Sequence, residues 1–129
     1  YALQLARLIG QQRRDVRLVL ATTEQDDYAA ASRHVWRAKV LARPDGQGGA
    51  AAWRAELLAL LCVHCPSLVL PVGEEGIYAA EAYDDADWPA GCVLALPPLP
   101  DLLALHDKLA FYELLRRARL RTPHTCGFT

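Results

Sequence analysis

An α/β domain built on an open parallel sheet is the fold class that this 129-residue sequence predicts. Three observations predict it. Short, mostly apolar runs recur at Val16–Leu20, Leu68–Val72 and Cys92–Leu96, as in strands buried on both faces. Segments with helical spacing of apolar residues separate them. Strands that alternate with helices pair in parallel and carry helices on both faces, the Rossmann-like arrangement.

The elements follow in order. Ala2 to Gln12 has Leu5, Leu8 and Ile9 on one face, with Ala2 one turn earlier, and reads as a helix. Val16–Leu20 is the first visible strand, and Thr22–Asp27 is a polar loop. Ser32 is placed to cap a short helix or turn through His34 to Trp36. Lys39–Leu41 reads as a short strand ended by Pro44, and Asp45–Gly49 as a Gly-rich loop. From Ala51 to His64, Trp53, Leu57, Leu60 and Leu61 match an amphipathic helix that Pro66 stops. Leu68–Val72 is a buried strand, Ile77–Tyr83 a short helix, and the stretch from Asp84 to Gly91 an acidic loop. Cys92–Leu96 is the last strand, closed by Pro97-Pro98. Pro100–Leu105 and Asp107 to Arg119 are helical, with Asp107 as N-cap of the second. Phe111, Leu114, Leu115 and Ala118 share a face of that helix. Residues 1–121 therefore form one α/β domain, and 122–129 begin a linker.

The chain opens directly on a helix. In folds of this kind the first strand precedes that helix and lies centrally in the sheet. The expectation is that this strand and its loop are missing from the sequence and stand ahead of Tyr1.

Composition narrows the function. Hydrophobic residues make up 53% of the chain and the formal net charge is -1, which excludes a disordered segment and the bulk positive charge of a nucleic-acid binder. Arg7 interrupts the first apolar stretch, unlike a signal peptide. Leu57–Val63 is far short of the roughly 20 residues of a membrane span. A cytoplasmic domain bound to neither membrane nor nucleic acid is expected. Arg116, Arg117, Arg119 and Arg121 sit where a helix C-terminus favours cations. Asp84, Asp85 and Asp87 lack the Gly and distal Glu of a calcium loop.

Cys62 and Cys65 form a C-x-x-C, while Cys92 and Cys126 stand alone. A structural zinc site needs a second close pair. A redox pair opens a helix, where the N-terminus lowers the thiol pKa, whereas this one closes a helix. Reduced, metal-free thiols are expected.

Five segments, in order, resemble the pre-ATP-grasp domain that precedes the ATP-grasp fold in many carboxylate–amine ligases and carboxylases. They are Tyr1-Ala2-Leu3 with Leu5-Ala6-Arg7, then Ser32-Arg33-His34, then Leu70-Pro71-Val72-Gly73-Glu74-Glu75 with Ile77-Tyr78. Leu105-His106-Asp107-Lys108 with Phe111 follows, and Leu120-x-Thr122-Pro123-x-Thr125 resembles the family's linker. Arg119 stands where that family usually has Gly, and Gly73 where it often has Cys. The resemblance implies a ligase that activates a carboxylate as an acyl phosphate with ATP and magnesium and passes it to an amine. It also implies that most of the nucleotide and magnesium groups belong to a C-terminal ATP-grasp domain, so this chain is inactive alone.

The same resemblance singles out Lys108 as a nucleotide-phosphate ligand. An ammonium at a helix N-terminus suits a polyphosphate; a solvated surface lysine is the plainer reading. Glu74 and Glu75 follow a strand's C-terminal end, where ligands gather, and are candidates to orient an amine or acceptor substrate. First-turn helix carboxylates are the plainer reading. Arg33 is a candidate for an anionic substrate group, against an exposed Arg in a turn. A second function class stays open: an independent Rossmann-type nucleotide or small-ligand module. Its G-x-G-x-x-G would lie ahead of Tyr1, and no acid closes Val16–Leu20 directly.

Overall fold

The computed structural model describes residues 1–45, 47–84 and 86–123. Asp85, Thr125 and Cys126 of the segments named above lie outside them. The chain is α/β. Its elements are α1 (Ala2–Gln12), β1 (Leu18–Thr22), a 3-10 helix (Tyr28–Ala31), β2 (Val35–Val40), α2 (Gly49–His64), β3 (Leu68–Val69), α3 (Gly76–Tyr83), β4 (Val93–Leu94), α4 (Leu99–His106) and α5 (Lys108–Arg117). β1 pairs with β2 and β3 with β4, both in parallel.

The α/β class and the parallel pairing expected from the sequence are present, with the described strands arranged as two separate two-stranded sheets. Two elements also move. The first strand is Leu18–Thr22 rather than Val16–Leu20, because Arg13 and Asp15 lock the preceding turn with two hydrogen bonds of 3.0 and 2.8 Å. The second strand is Val35–Val40 rather than Lys39–Leu41, and it absorbs Val35 and Trp36. Ser32 does not start a helix. It closes the 3-10 turn, and its hydroxyl accepts from the His34 amide at 3.3 Å. Val35 and Trp36 prefer a pleated surface, and pairing with β1 satisfies that preference. β3 and β4 are shorter than their apolar runs, with Pro71 and Pro97 unable to extend a ladder.

α2 is the central support. Trp53, Leu57 and Leu61, four residues apart, form one stripe and are all buried. They cluster with Leu41 at the end of β2, Ala79 and Ala80 of α3, Cys92, and Leu94 of β4. One helix thus packs against both strand pairs. At its N-terminus Gly48 takes φ 88°, a left-handed turn that glycine allows at little cost.

At the other end Cys65 takes φ 42° and ψ 55° and caps the helix, its amide donating to the Leu61 carbonyl at 2.7 Å. Its thiol lies 3.2 Å from the Cys62 carbonyl. The C-x-x-C therefore closes a helix, with Cys62 in its last turn and Cys65 as its C-cap. Glycine is the usual residue at such a cap because a Cβ is strained there. Cys65→Gly is expected to stabilise the domain by up to about 1 kcal/mol, measured by urea unfolding. A lower midpoint would show that the thiol contact outweighs the strain.

Candidate functional site

In parallel α/β sheets the loops after the strands' C-terminal ends gather ligands. Here Thr23 to Asp27 follow β1, Leu41 to Arg43 follow β2, and Gly73 to Glu75 follow β3. The loops after β1 and β2 enclose an open crevice of about 700 Å³, with Thr23, Glu24, Asp26, Asp27, Tyr28 and Arg43 in its wall. Asp27 is occupied in holding the 3-10 helix, accepting from the Ala29 amide at 2.8 Å. Arg43 lies between Glu24 (3.9 Å) and Asp45 (3.4 Å). Three acids against one already paired guanidinium make this wall negative. Such a wall suits an ammonium or another cationic group better than a phosphate.

Glu75 belongs to the same edge. Its carboxylate accepts from the Thr23 hydroxyl at 3.3 Å, joining the loops after β1 and β3 across 52 residues of sequence. It makes no side-chain capping bond to α3, although it occupies the N-cap position. Glu74 is exposed in the same turn, where its carbonyl accepts from the Ile77 amide. The edge thus places Glu74 and Glu75 in one turn and brings Thr23 to Glu75.

Arg33 stands elsewhere. It precedes β2, at the N-terminal end of the strands, and lines a second open depression of about 430 Å³ with Gly10, Arg13, Arg14, Val16 and His34. The structure does not bring it to Glu75. Gly10 allows α1 to close on this end, since a Cβ there would clash with the His34 side chain.

Lys108 is the first residue of α5 and is exposed. Asp107 caps that helix as expected, its Oδ1 accepting from the amides of Leu109 at 2.8 Å and Ala110 at 3.0 Å. Those two bonds hold the Asp107 carboxyl below the usual aspartate range. A depressed carboxyl stabilises the fold above its unfolded pKa, and that contribution fades as pH falls through the folded value. Fraying of α5 is therefore expected on acidification below about pH 3.9, the ordinary aspartate value. Residue-resolved NMR should show Leu109 and Ala110 amides losing protection before those of α2. Simultaneous loss in both helices would show that the cap does not govern α5.

Thr23, Glu24, Asp26 and Arg43 were not singled out in the sequence. Their signal was a polar run directly after an apolar strand, but the approach of Glu75 depends on the fold. Cys62 and Cys65 are exposed free thiols, and Cys92 is free and buried, with burial pushing its thiol up. Among the described residues no group of three or more His, Cys, Asp or Glu side chains is arranged to hold a metal ion. No helix among them is long and apolar enough to cross a membrane. The chain matches no protein-family model, no curated protein and no solved structure.

Proposed function

We propose that this chain is the leading α/β domain of an ATP-grasp carboxylate–amine ligase or a related ligase, located in the cytoplasm and without turnover on its own. The five ordered segments that resemble the pre-ATP-grasp domain support this reading. The observation that carries it furthest is the geometry of α5. Asp107 fixes the first turn and presents Lys108 from it. The same helix has no buried residue and leaves Leu109, Phe111 and Leu114 exposed just ahead of Thr122-Pro123. A helix with a charged tip and an uncovered apolar flank suits a contact with a following domain.

In this reading the ATP-grasp domain supplies the remaining nucleotide contacts and the magnesium ligands. Lys108 adds one ammonium to the phosphates. Glu75 and Glu74 stand at the strand edge where an amine or acceptor would be oriented. The carboxylate substrate attacks the γ-phosphorus of ATP, ADP leaves, and the amine then displaces phosphate from the acyl phosphate. Arg33, at the opposite end of the strands, has no part in that step. The parallel pairing of both strand pairs supports one continuous Rossmann-like sheet in the full-length protein.

The negative crevice between Thr23 and Arg43 favours one other reading, an independent module that binds a small cationic ligand. Two assays separate the readings. The purified chain is expected to show no saturable, magnesium-dependent ATP hydrolysis. The full-length protein is expected to form ADP only when a carboxylic acid substrate is supplied. Hydrolysis by the 129-residue chain, or no acid-dependent ADP formation by the full-length protein over a broad panel of acids and amines, overturns the ligase reading.

A further inference from the structure

We infer that the depression between the end of α1 and the start of β2 binds a small phosphorylated ligand, held by Arg14 and Arg33. This site lies at the N-terminal end of the β1–β2 pair and stands apart from the ligase reading.

Charge is sorted along this strand pair. Residues 13–17 lead into β1, and residues 33–37 lead into and open β2. Together they hold five arginines and one acid, Asp15, although the whole chain carries a net charge of -1. The loops past the other end of the pair hold Glu24, Asp26, Asp27 and Asp45. Asp15 is already neutralised. Arg13 donates two hydrogen bonds to it, at 3.0 and 2.8 Å, and they hold its carboxyl well below the usual aspartate range. Among the described residues Arg14, Arg17, Arg33 and Arg37 enter no ion pair. A concave wall of unpaired charges of one sign draws an ion of the other.

A helix C-terminus favours cations, and that accounts for Arg13 and Arg14, just past α1. It does not account for Arg33, which comes from another segment of the chain and lines the same depression.

Two contacts build the depression. His34 packs on Gly10 so closely that α1 and the start of β2 meet without a side chain between them. Leu18 pairs with Val35, which sets the residues ahead of β1 beside those ahead of β2. The turn through Arg13, Arg14 and Val16 thus shares one wall with Arg33 and His34.

The ligand's chemistry follows from these groups. Guanidiniums match phosphate oxygens with paired N–H donors. Val16 is the one large apolar side chain in the wall, so an apolar ligand gains little there, and a cation is repelled. The volume of about 430 Å³ falls within the range of small-molecule sites, roughly 300–1,000 Å³. It takes a phosphate with the group that carries it, not a length of polymer. A nucleic-acid single strand also needs a free aromatic face. Trp36 does not offer one. The guanidiniums of Arg17 and Arg37 lie 5.4 and 5.0 Å from its ring, and His64 stands edge-on at 5.8 Å. With those two arginines turned to Trp36, Arg14 and Arg33 are left for the ligand.

Residue-resolved NMR of the 129-residue chain, titrated with inorganic pyrophosphate at constant ionic strength, tests the site. Saturable shifts are expected at the amides of Gly10, Arg14, Val16 and His34, and none from Glu24 to Asp27. Arg14→Gln and Arg33→Gln should each weaken binding about tenfold, the effect of losing one charge-assisted contact. Both side chains are exposed and unpaired, so the Tm should not move. Arg116→Gln, which removes a charge from α5, should leave binding unchanged. Asp15→Asn should tighten it severalfold, because the variant removes the acid and frees Arg13. Shifts that grow without saturating overturn the inference. So does an Arg116→Gln effect as large as that of Arg33→Gln, or an Asp15→Asn variant that binds no tighter. A single-stranded oligonucleotide that binds more tightly than pyrophosphate, with shifts spreading to Trp36 and Lys39, overturns it in favour of a nucleic-acid surface.

Discussion

Trp53→Ala is expected to destabilise the domain by about 3–5 kcal/mol, the cost of removing a large aromatic from a packed interior. Trp53 is 4% exposed and heads the buried stripe of α2. Its ring lies against Tyr78 of α3 with 5.9 Å between centroids. Through Leu41 and Leu94 the same cluster reaches both strand pairs, so a cavity there loosens the contact that joins them. Whole domains hold only about 5–15 kcal/mol of net stability. Urea unfolding of the variant should therefore begin near zero denaturant. Trp36 is the internal control. It is 50% exposed, with the guanidiniums of Arg17 and Arg37 at 5.4 and 5.0 Å from its ring. Trp36→Ala should cost under about 1.5 kcal/mol. If the two variants unfold at the same urea concentration, α2 is not the joint between the sheets.

The helices were legible in the sequence because their determinants are local. Ala2–Gln12 was read to the residue, and the stripe of Trp53, Leu57 and Leu61 follows from spacing alone. Asp107 announces α5 through a side chain that bonds within its own turn. Strands depend on partners distant in sequence. Lys39–Leu41 was read as a short strand ended by Pro44, but pairing with β1 begins at Val35. Ser32 is equally at home as a helix cap or a 3-10 terminator, and only the following residues decide between them. The division into two sheets had no local signal at all.

The candidate site divides the same way. Glu74 and Glu75 were visible as carboxylates after a strand, and Glu75 does stand at the C-terminal edge. Its bond to Thr23 crosses 52 residues and had no local signature. Arg33 sat in a segment that resembles a family motif, yet position in a motif does not fix which end of the strands a residue occupies. In a parallel arrangement a residue just before a strand lies opposite one just after it. That rule separates Arg33 from Glu75 once β2 is known to begin at Val35.

Replacing Lys108 by alanine in the full-length protein is expected to weaken apparent nucleotide affinity about ten- to a hundredfold. One charge-assisted hydrogen bond to phosphate contributes on the order of 1.5–3 kcal/mol. The lysine is placed for such a contact by its neighbour, since Asp107 anchors the first turn through two amides and leaves Lys108 exposed on it. It enters no ion pair among the described residues, so the fold does not depend on its charge. Thermal stability should therefore change little, and this separates a lost ligand contact from lost structure. Lys108→Arg should restore only part of the affinity, because a planar guanidinium does not replace a compact ammonium at a tight site. Asp107→Ala gives an independent check. It leaves the ammonium in place but frees the helix start, so it should weaken nucleotide binding less than Lys108→Ala while fraying α5 more. Titration of the three variants with ATP and magnesium, beside helix-resolved hydrogen exchange, reads both effects. Unchanged affinity and turnover in Lys108→Ala would make the lysine a surface residue and remove it from the site, while the strand pairs and the core of α2 would stand, since neither involves it.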